Sequence, residues 1–210
     1  MRIVETNDGS KTFFEPNLQE TYHSQSGAIE ESQEKFVRPA KLIDGHHILD
    51  ICFGLGFNSL MAALTNKTVH IDAIEIDSNL LQSLTSDLAP QYREEYEHLI
   101  SQIHKANNPI KILNTTINLH ICSFITKLPN LPDQTYDRIF FDPFSPKKCP
   151  EQWSKDIFEQ CHRVLKPNGY LLTYSCARIV RENLTAAGFT CVDGPAVGRK
   201  SPSTIAHKYE

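Results

Sequence analysis

From residue 45 onward, short runs rich in Ile, Leu, Val and Phe alternate with segments whose apolar residues recur at helical spacing. The short runs predict strands, and they read HHILDI, VHIDAIEI, TINLHIC, YDRIFFD, YLLTYSC, FTCVD and STIAH. Strands separated by helices pair in parallel through right-handed crossovers, with helices on both faces. The pattern therefore predicts an α/β fold with a doubly wound, Rossmann-like sheet of about seven strands.

The first 44 residues follow a different pattern. Apolar residues flank Asp8-Gly9, a dipeptide typical of hairpin turns. A helical pattern follows and should end before Pro39. We expect residues 1–44 to form a small hairpin and helix extension on a main domain that spans residues 45–210.

Residues 88–112 interrupt the alternation with an additional helical segment before the third strand of the main domain. The segment is rich in charged residues, and no motif in it points to chemistry. We interpret it as a solvated connection.

Composition narrows the class of protein. The chain has 210 residues, 40% of them hydrophobic, and no apolar stretch approaches the roughly 20 residues that cross a bilayer. The N-terminal MRIVETNDGS lacks the apolar segment of an export signal, so we expect a cytoplasmic protein without membrane contact. The six cysteines are widely spaced and form no C-x-x-C pair, so we expect reduced thiols and no metal site.

Charge is distributed unevenly along the chain. The formal net charge is −4, and a negative net charge does not by itself indicate nucleic-acid binding. Residues 1–137 carry 18 acidic and 10 basic residues, whereas residues 138–210 carry 7 and 11. A polyanion would therefore prefer the C-terminal third.

The stretch ILDICFGLGFNS suggests a ligand-binding turn. Gly54 and Gly56 directly follow a predicted strand and open a helix, where backbone N–H groups approach a ligand closely. A dinucleotide fingerprint needs a third glycine, but position 59 is Ser. Asp50 precedes the glycines and suits an ammonium, while Glu75 ends the next strand at the place that binds ribose. The combination favours S-adenosylmethionine over NAD.

A second motif, FFDPFSPKKCPEQW, begins where the fourth predicted strand ends. Asp142 would project into the same crevice, and Pro143 fixes the backbone after it. A carboxylate here can orient the lone pair of an acceptor amine, and the ring of Phe144 can stack on a flat substrate. The motif indicates an amine methyltransferase.

The motifs YHSQSGAIEES, DICFGLGFN, FFDPFSPKKCPEQW and GFTCVDGPAVGRK stand in an order and spacing that resemble the methyltransferase domain of the MnmC family. The resemblance covers nearly the whole chain. It implies a class I methyltransferase that converts 5-aminomethyl-uridine, often 2-thiolated, to 5-methylaminomethyl-uridine at the tRNA wobble position. The anticodon stem-loop of tRNA would then be the partner.

The resemblance also implies roles for individual residues. The cofactor loop would comprise Asp50, Phe53, Gly54, Gly56 and Asn58, with Glu75 on the ribose. Asp142 would sit against the reacting amine. An N-terminal signature would reach the same pocket through Tyr22, His23, Ser24, Gly27 and Glu30. The basic pair Arg199 and Lys200 would contact phosphates.

Some features depart from the family pattern. The family often has Gly-Asp after the third strand, where this chain has Cys122-Ser123, which makes Ser123 the candidate at the adenine end. Asp-Gly-Phe is here Asp142-Pro143-Phe144. MnmC proteins usually carry a fused oxidase domain, for which 210 residues leave no room, so we expect a separate enzyme to supply the aminomethyl group.

An alternative enzyme remains open. A related methyl- or aminopropyltransferase could act on a small-molecule amine with the same fold. Polyamine synthases generally carry further acids for a polycationic substrate, whereas this loop offers Lys147 and Lys148. We therefore assign Lys147 to the RNA substrate.

Overall fold

The computed structural model describes residues 1–198 and 201–210. Its main sheet has eight strands in the order β10-β11-β9-β8-β4-β5-β7-β6. Their bounds are β4 His47–Ile51, β5 His70–Glu75, β6 Ile110–Ile112, β7 Thr115–Ile121, β8 Tyr136–Phe141, β9 Leu165–Thr173, β10 Thr190–Asp193 and β11 Thr204–His207.

The predicted doubly wound α/β fold is confirmed, with two corrections. The five central strands β9, β8, β4, β5 and β7 pair in parallel, as the alternation with helices predicted. The edges are antiparallel: β6 joins β7 and β10 joins β11 through loops without a covering helix among the described residues, and β11 returns to pair antiparallel with β9. The sheet also has eight strands instead of seven, since the short β6 was not predicted.

Helices cover both faces of the sheet. They are α3 Phe57–Ala63, α4 Ser78–Gln82, α5 Arg93–His104, α6 Phe124–Lys127, α7 Lys155–Val164 and α8 Arg178–Ala186. Alternate residues of β4 point to opposite faces. Ile48 packs in one buried cluster, with α3 and α5, and Leu49 packs in the other, with α7 and α8.

The segment 88–112 is not a solvated connection. Its helix α5 buries Tyr96, Leu99, Ile100 and Ile103 against the sheet. The Tyr96 hydroxyl also donates to the carbonyl oxygen of Leu55, at 2.8 Å. The segment has an amphipathic pattern that its many charged residues made hard to recognise in the sequence. The helix supports the turn behind β4.

The first 44 residues contain a small sheet of their own and a helix. Strands β1 Arg2–Glu5, β2 Lys11–Glu15 and β3 Glu20–Thr21 make an antiparallel sheet in that order. The helix continues through Pro39 instead of ending before it. It comprises α1 Ala28–Glu31, a π-helix Ser32–Val37 and α2 Arg38–Ala40.

The strand order reverses next to β4, with β5 on one side and β8 on the other. In open α/β sheets the crevice at the carboxyl ends of such strands is where ligands bind. The turns that follow β4, β5 and β8 therefore meet in this crevice. Residues of the N-terminal segment also line it.

Candidate active site

The turn after β4 depends on left-handed backbone. Cys52 has φ +65°, Gly54 +55° and Gly56 +78°. The N–H of Gly54 donates to Oε2 of Glu75, at 2.8 Å. The turn thereby links the ends of β4 and β5 and leaves Gly54 facing a cavity.

Packing beneath the turn requires a glycine at position 56. A Cβ atom there would lie 2.5 Å from Cζ of Phe53, whose ring packs beneath the turn. Phe53 is buried in the core and does not line the cavities described below. The structure therefore places Phe53 under the cofactor loop instead of within reach of a ligand.

Glu75 is fixed by three backbone donors. Its carboxylate accepts the N–H groups of Gly54, Ile76 and Asp77, at 2.8 to 2.9 Å. The side chain is 7% exposed, and this burial raises its pKa. Oε1 accepts two of these N–H groups and Oε2 only one, so Oε2 keeps acceptor capacity, which suits a sugar hydroxyl.

The cavity at this turn, which we call the turn cavity, has a volume of about 350 Å³. A narrow extension of about 50 Å³ shares Cys52, Glu75 and Ile76 with it. The half-buried Ser123 and the apolar Phe124 and Ile125 line this extension. A carboxylate at Glu75 with a narrow, mostly apolar slot beyond it is an arrangement that could hold the ribose and adenine of an adenosyl group.

Asp50 lies behind the turn and does not line the turn cavity. It is fully buried, and the Ser59 hydroxyl donates to its Oδ2 at 2.6 Å. Burial raises its pKa to about 7, and Oδ1 has no partner among the described residues. Its charge acts at a distance on its neighbours instead of touching a ligand.

Asn58 is directed toward the acid of the second motif. Its side-chain nitrogen donates to Oδ2 of Asp142 at 2.9 Å, and its own Oδ1 lacks a partner within the described part of the chain. Asn58 therefore orients Asp142, although it lines neither the turn cavity nor its extension.

A second cavity of about 380 Å³ lies between the N-terminal segment and the loop after β8, and we call it the hairpin cavity. Four side chains line both cavities: Tyr22, His23, Asp142 and Phe144. The rings of Tyr22 and Phe144 meet edge to face, with centroids 4.8 Å apart. The two cavities thus adjoin at Asp142.

Asp142 follows β8 and continues the sheet, since its N–H donates to the carbonyl oxygen of Ile51. Burial is the main reason that its pKa lies well above the usual range, and the nearby Glu31 raises it further. The hydrogen bond from Asn58 acts in the opposite direction. A carboxyl with a raised pKa is suited to accept a proton.

Contacts from distant parts of the chain fix the loop after Asp142. The N–H and hydroxyl groups of Ser145 donate to the carboxylate of Glu20 in β3. The indole N–H of Trp153 donates to the carbonyl oxygen of Phe144 at 2.8 Å. The Tyr174 hydroxyl donates to the carbonyl oxygen of Pro143 at 3.0 Å. The loop is therefore held in a single position.

Sequence reasoning missed two charged residues in the hairpin cavity. Lys35 Nζ lies 2.6 Å from Oε1 of Glu31, and the two side chains are 2% and 9% exposed. Oε2 of Glu31 accepts the N–H of Ser24 at 2.8 Å. A Glu and a Lys four positions apart are usually read as a solvated helical pair, so the sequence carried no signal of burial.

Of the remaining predicted site residues, only some line a cavity. Ser24 lines the hairpin cavity, but Gly27 is needed for packing, since a Cβ there would lie 2.7 Å from Asp8 Oδ2. Glu30 and Lys147 are exposed and line neither cavity. The acid that lines the cavity is the neighbouring Glu31, not Glu30.

The predicted basic pair Arg199 and Lys200 lies outside the described residues. Gly198, which precedes it, has φ +68°. A Cβ on Gly198 would lie 1.8 Å from the Ser26 hydroxyl oxygen and 3.6 Å from that of Ser24. The C-terminal loop therefore reaches the rim of the hairpin cavity.

Comparison with known proteins gives a consistent family assignment. Residues 86–209 match a family described as S-adenosyl-L-methionine-dependent methyltransferases. An uncharacterized protein of Methanocaldococcus jannaschii is 32% identical, over 98% of this chain and 59% of its own length. Among the described residues, no helix is long and apolar enough to span a membrane.

Two further matches are more informative about chemistry. The tRNA 5-methylaminomethyl-2-thiouridine biosynthesis bifunctional protein MnmC of Cupriavidus metallidurans is 27% identical, over 96% of this chain and 33% of its own length. The crystal structure of MNMC2 from Aquifex aeolicus superposes with a TM-score of 0.85 and 30% identity, covering 98% of this chain and 69% of that one. The chain thus spans about a third to three fifths of the curated relatives described here.

Proposed function

Because this chain belongs to the family of S-adenosyl-L-methionine-dependent methyltransferases, we propose that it methylates the primary amine of 5-aminomethyl-uridine at the tRNA wobble position. The product would be 5-methylaminomethyl-uridine, with or without a 2-thio group. The printed name of the MnmC relative and the likeness to MNMC2 support this choice of substrate.

The observation that carries the proposal is the position of Asp142 between the two cavities. The turn cavity suits an adenosyl group through Glu75 and the extension at Ser123. The hairpin cavity offers the aromatic Phe144 and buried charges to a second molecule. A methyl transferase needs such a junction, because donor and acceptor must meet in line.

The cofactor supplies a methyl group on a sulfonium sulfur, and the electron pair of the broken bond stays on that sulfur. The protein must present the acceptor amine of the substrate in its neutral form. An alkyl amine with a pKa of about 10 costs about 4 kcal/mol to deprotonate at pH 7. We assign this proton to the carboxylate of Asp142, whose pKa burial raises.

The nucleobase would lie in the hairpin cavity. Phe144 and Tyr22 present aromatic faces and edges to a flat ring. We propose that Arg199 and Lys200 bind backbone phosphates of the anticodon stem-loop, because Gly198 lies against the rim of this cavity. A preceding reaction must produce the aminomethyl group, and both reactions would take place on cytoplasmic tRNA.

The test is mass spectrometry of wobble nucleosides after the purified protein is incubated with labelled cofactor and tRNA bearing 5-aminomethyl-uridine. We expect one labelled methyl group per modified nucleoside. The same tRNA with an unmodified uridine is the control and should stay unlabelled. Transfer to a free polyamine but not to tRNA would instead support a small-molecule amine transferase, and transfer to neither would overturn the proposal.

A further inference from the structure

The hairpin cavity contains a buried ion pair that the proposed reaction does not yet use. We propose that Glu31 and Lys35 form a positioning unit that sets how readily Asp142 takes a proton from the acceptor ammonium. The inference rests on the proposed function, since it deepens the account of the same site.

The pair is placed where it can act on Asp142. Glu31, Lys35 and Asp142 line the same cavity. The carboxylate of Glu31 has fixed partners on both oxygens, Lys35 on one and the N–H of Ser24 on the other. The anion is therefore held at a defined place in the wall of the cavity that Asp142 also lines.

The pair is a costly feature for a helix that only needs to fold. Burying two charges removes both from water at a large cost, and well-packed apolar residues of similar volume often stabilise a helix as much or more. Lys35 also lies in a six-residue π-helix, a rare conformation that is frequent at functional sites. Both observations favour a functional role over a purely structural one.

The two charges act on Asp142 in opposite directions. Glu31 raises the pKa of Asp142, and Lys35 lowers it. Other groups also face Asp142 and stay the same in the variants below; they are Asp50 of β4, Cys52 of the turn, His23 and Tyr22 of the N-terminal segment, and Tyr174 after β9. The pair can therefore tune the carboxylate between accepting a proton and releasing it.

The proton step balances without another reactant. The substrate ammonium gives one proton to the carboxylate of Asp142, which leaves a neutral amine and a neutral carboxyl group. The methylated product is again an ammonium, and the proton on Asp142 returns to solvent when the product leaves. A carboxylate of higher proton affinity favours the first step but hinders the last.

The test is the pH dependence of kcat/KM for methyl transfer to tRNA bearing the aminomethyl group. Glu31→Gln removes the anion, so the acid limb should move to lower pH. Lys35→Met removes the cation, so the limb should move to higher pH. Each variant should also lower kcat/KM about tenfold at pH 8. Limbs that stay in place, or that move in the same direction, would overturn the proposal.

Single variants leave an unpaired buried charge and can fail to fold. The double variant Glu31→Gln/Lys35→Met has no such charge. If the pair only stabilises the helix, the double variant should recover wild-type kcat/KM. Because Glu31 acts on Asp142 more strongly than Lys35 does, we expect the double variant to fold, with kcat/KM below wild type and its acid limb at lower pH than wild type, by less than in Glu31→Gln alone. Recovery would count against the proposal whatever the single variants do.

The exposed pair Lys155 and Glu159 has the same two residue types four positions apart and serves as the control. Lys155→Met and Glu159→Gln should change neither rate nor pH profile. A second readout needs no substrate: the side-chain carbon of Asp142 is titrated by NMR in the free protein and assigned with Asp142→Asn. Its titration should shift in the same two directions. Wild type that transfers no methyl refutes the proposed function, whereas an unmoved NMR titration refutes this inference alone.

Discussion

The turn cavity and the hairpin cavity share Asp142 but are built in different ways. At the turn cavity the contact that shapes the turn is short-range, since Gly54 donates its N–H to Glu75, only 21 positions away, although the N-terminal segment and the loop after β8 also line this cavity. The hairpin cavity is formed by side chains that the fold brings together, such as Glu20 and Ser145, 125 positions apart. The contact at the proposed cofactor side is thus more local in sequence than the contact that holds the proposed acceptor side.

The difference matches what each cavity must recognise. One cofactor requires one shape, which a short strand, turn and helix motif can encode. An acceptor needs specific polar contacts on a fixed loop, so distant elements must meet there. Variants on the acceptor side should therefore alter turnover and RNA binding, and those on the cofactor side should alter cofactor affinity and stability.

The largest effect is expected at Asp142, which lines both cavities. Asp142→Asn keeps an acceptor for the Asn58 amide but removes the proton acceptor. We expect kcat for methyl transfer to fall about 100-fold or more, with cofactor affinity within about threefold of wild type. Single-turnover transfer and calorimetric titration of the cofactor measure the two quantities. Turnover equal to wild type would remove Asp142 from the mechanism.

The next effect is on the cofactor side alone. Glu75→Gln replaces a carboxylate that accepts three backbone N–H groups with an amide that can accept fewer. We expect cofactor affinity to fall about 10- to 100-fold, since hydrogen bonds to charged groups are worth about 1.5–3 kcal/mol. The exposed Glu97→Gln is the control. An unchanged dissociation constant would mean that Glu75 only holds the turn.

How far the sequence predicted the site follows the same division. The sequence predicted Gly54, Glu75 and Asp142 as site residues because each stands in a short motif at a strand end, and all three line the turn cavity. Lys35 and Glu31 were missed, because a Glu and a Lys at this spacing are typical of an exposed helix face. Only the packing of the N-terminal helix onto α3 and β9 shows that this face is buried.

The edges of the fold were harder to predict for a related reason. The segment 88–112 contains apolar residues at helical spacing, but surrounding charges masked them. The strand β6 has only three residues and is defined by its pairing with β7. Such elements depend on a partner elsewhere in the fold, which local pattern does not report.

A third prediction tests whether backbone shape builds the turn cavity. Gly56→Ala and Gly45→Ala both place a side chain at positive φ, but a Cβ at Gly45 meets no atom within 4 Å. Each should lose about 1 kcal/mol in the free energy of unfolding from its φ angle. Gly56→Ala should lose about 2 kcal/mol more, because its Cβ meets the ring of Phe53. Urea unfolding measures both, and equal losses would show that the ring moves aside freely.

The smallest effect is expected at the contact that holds the acceptor loop. In Glu20→Gln the amide cannot accept both the N–H and the hydroxyl of Ser145 as the carboxylate does. One such hydrogen bond is worth about 1 kcal/mol, so KM for the RNA should rise roughly fivefold while kcat and cofactor affinity stay the same. Ser145→Ala should give a similar rise, and the double variant should add little to it, because both remove the same contact. The exposed Glu5→Gln is the control. A cofactor dissociation constant that rises as much as KM would show that the loop supports both cavities. The proposed cofactor side and the proposed acceptor side would then not be separable at this loop.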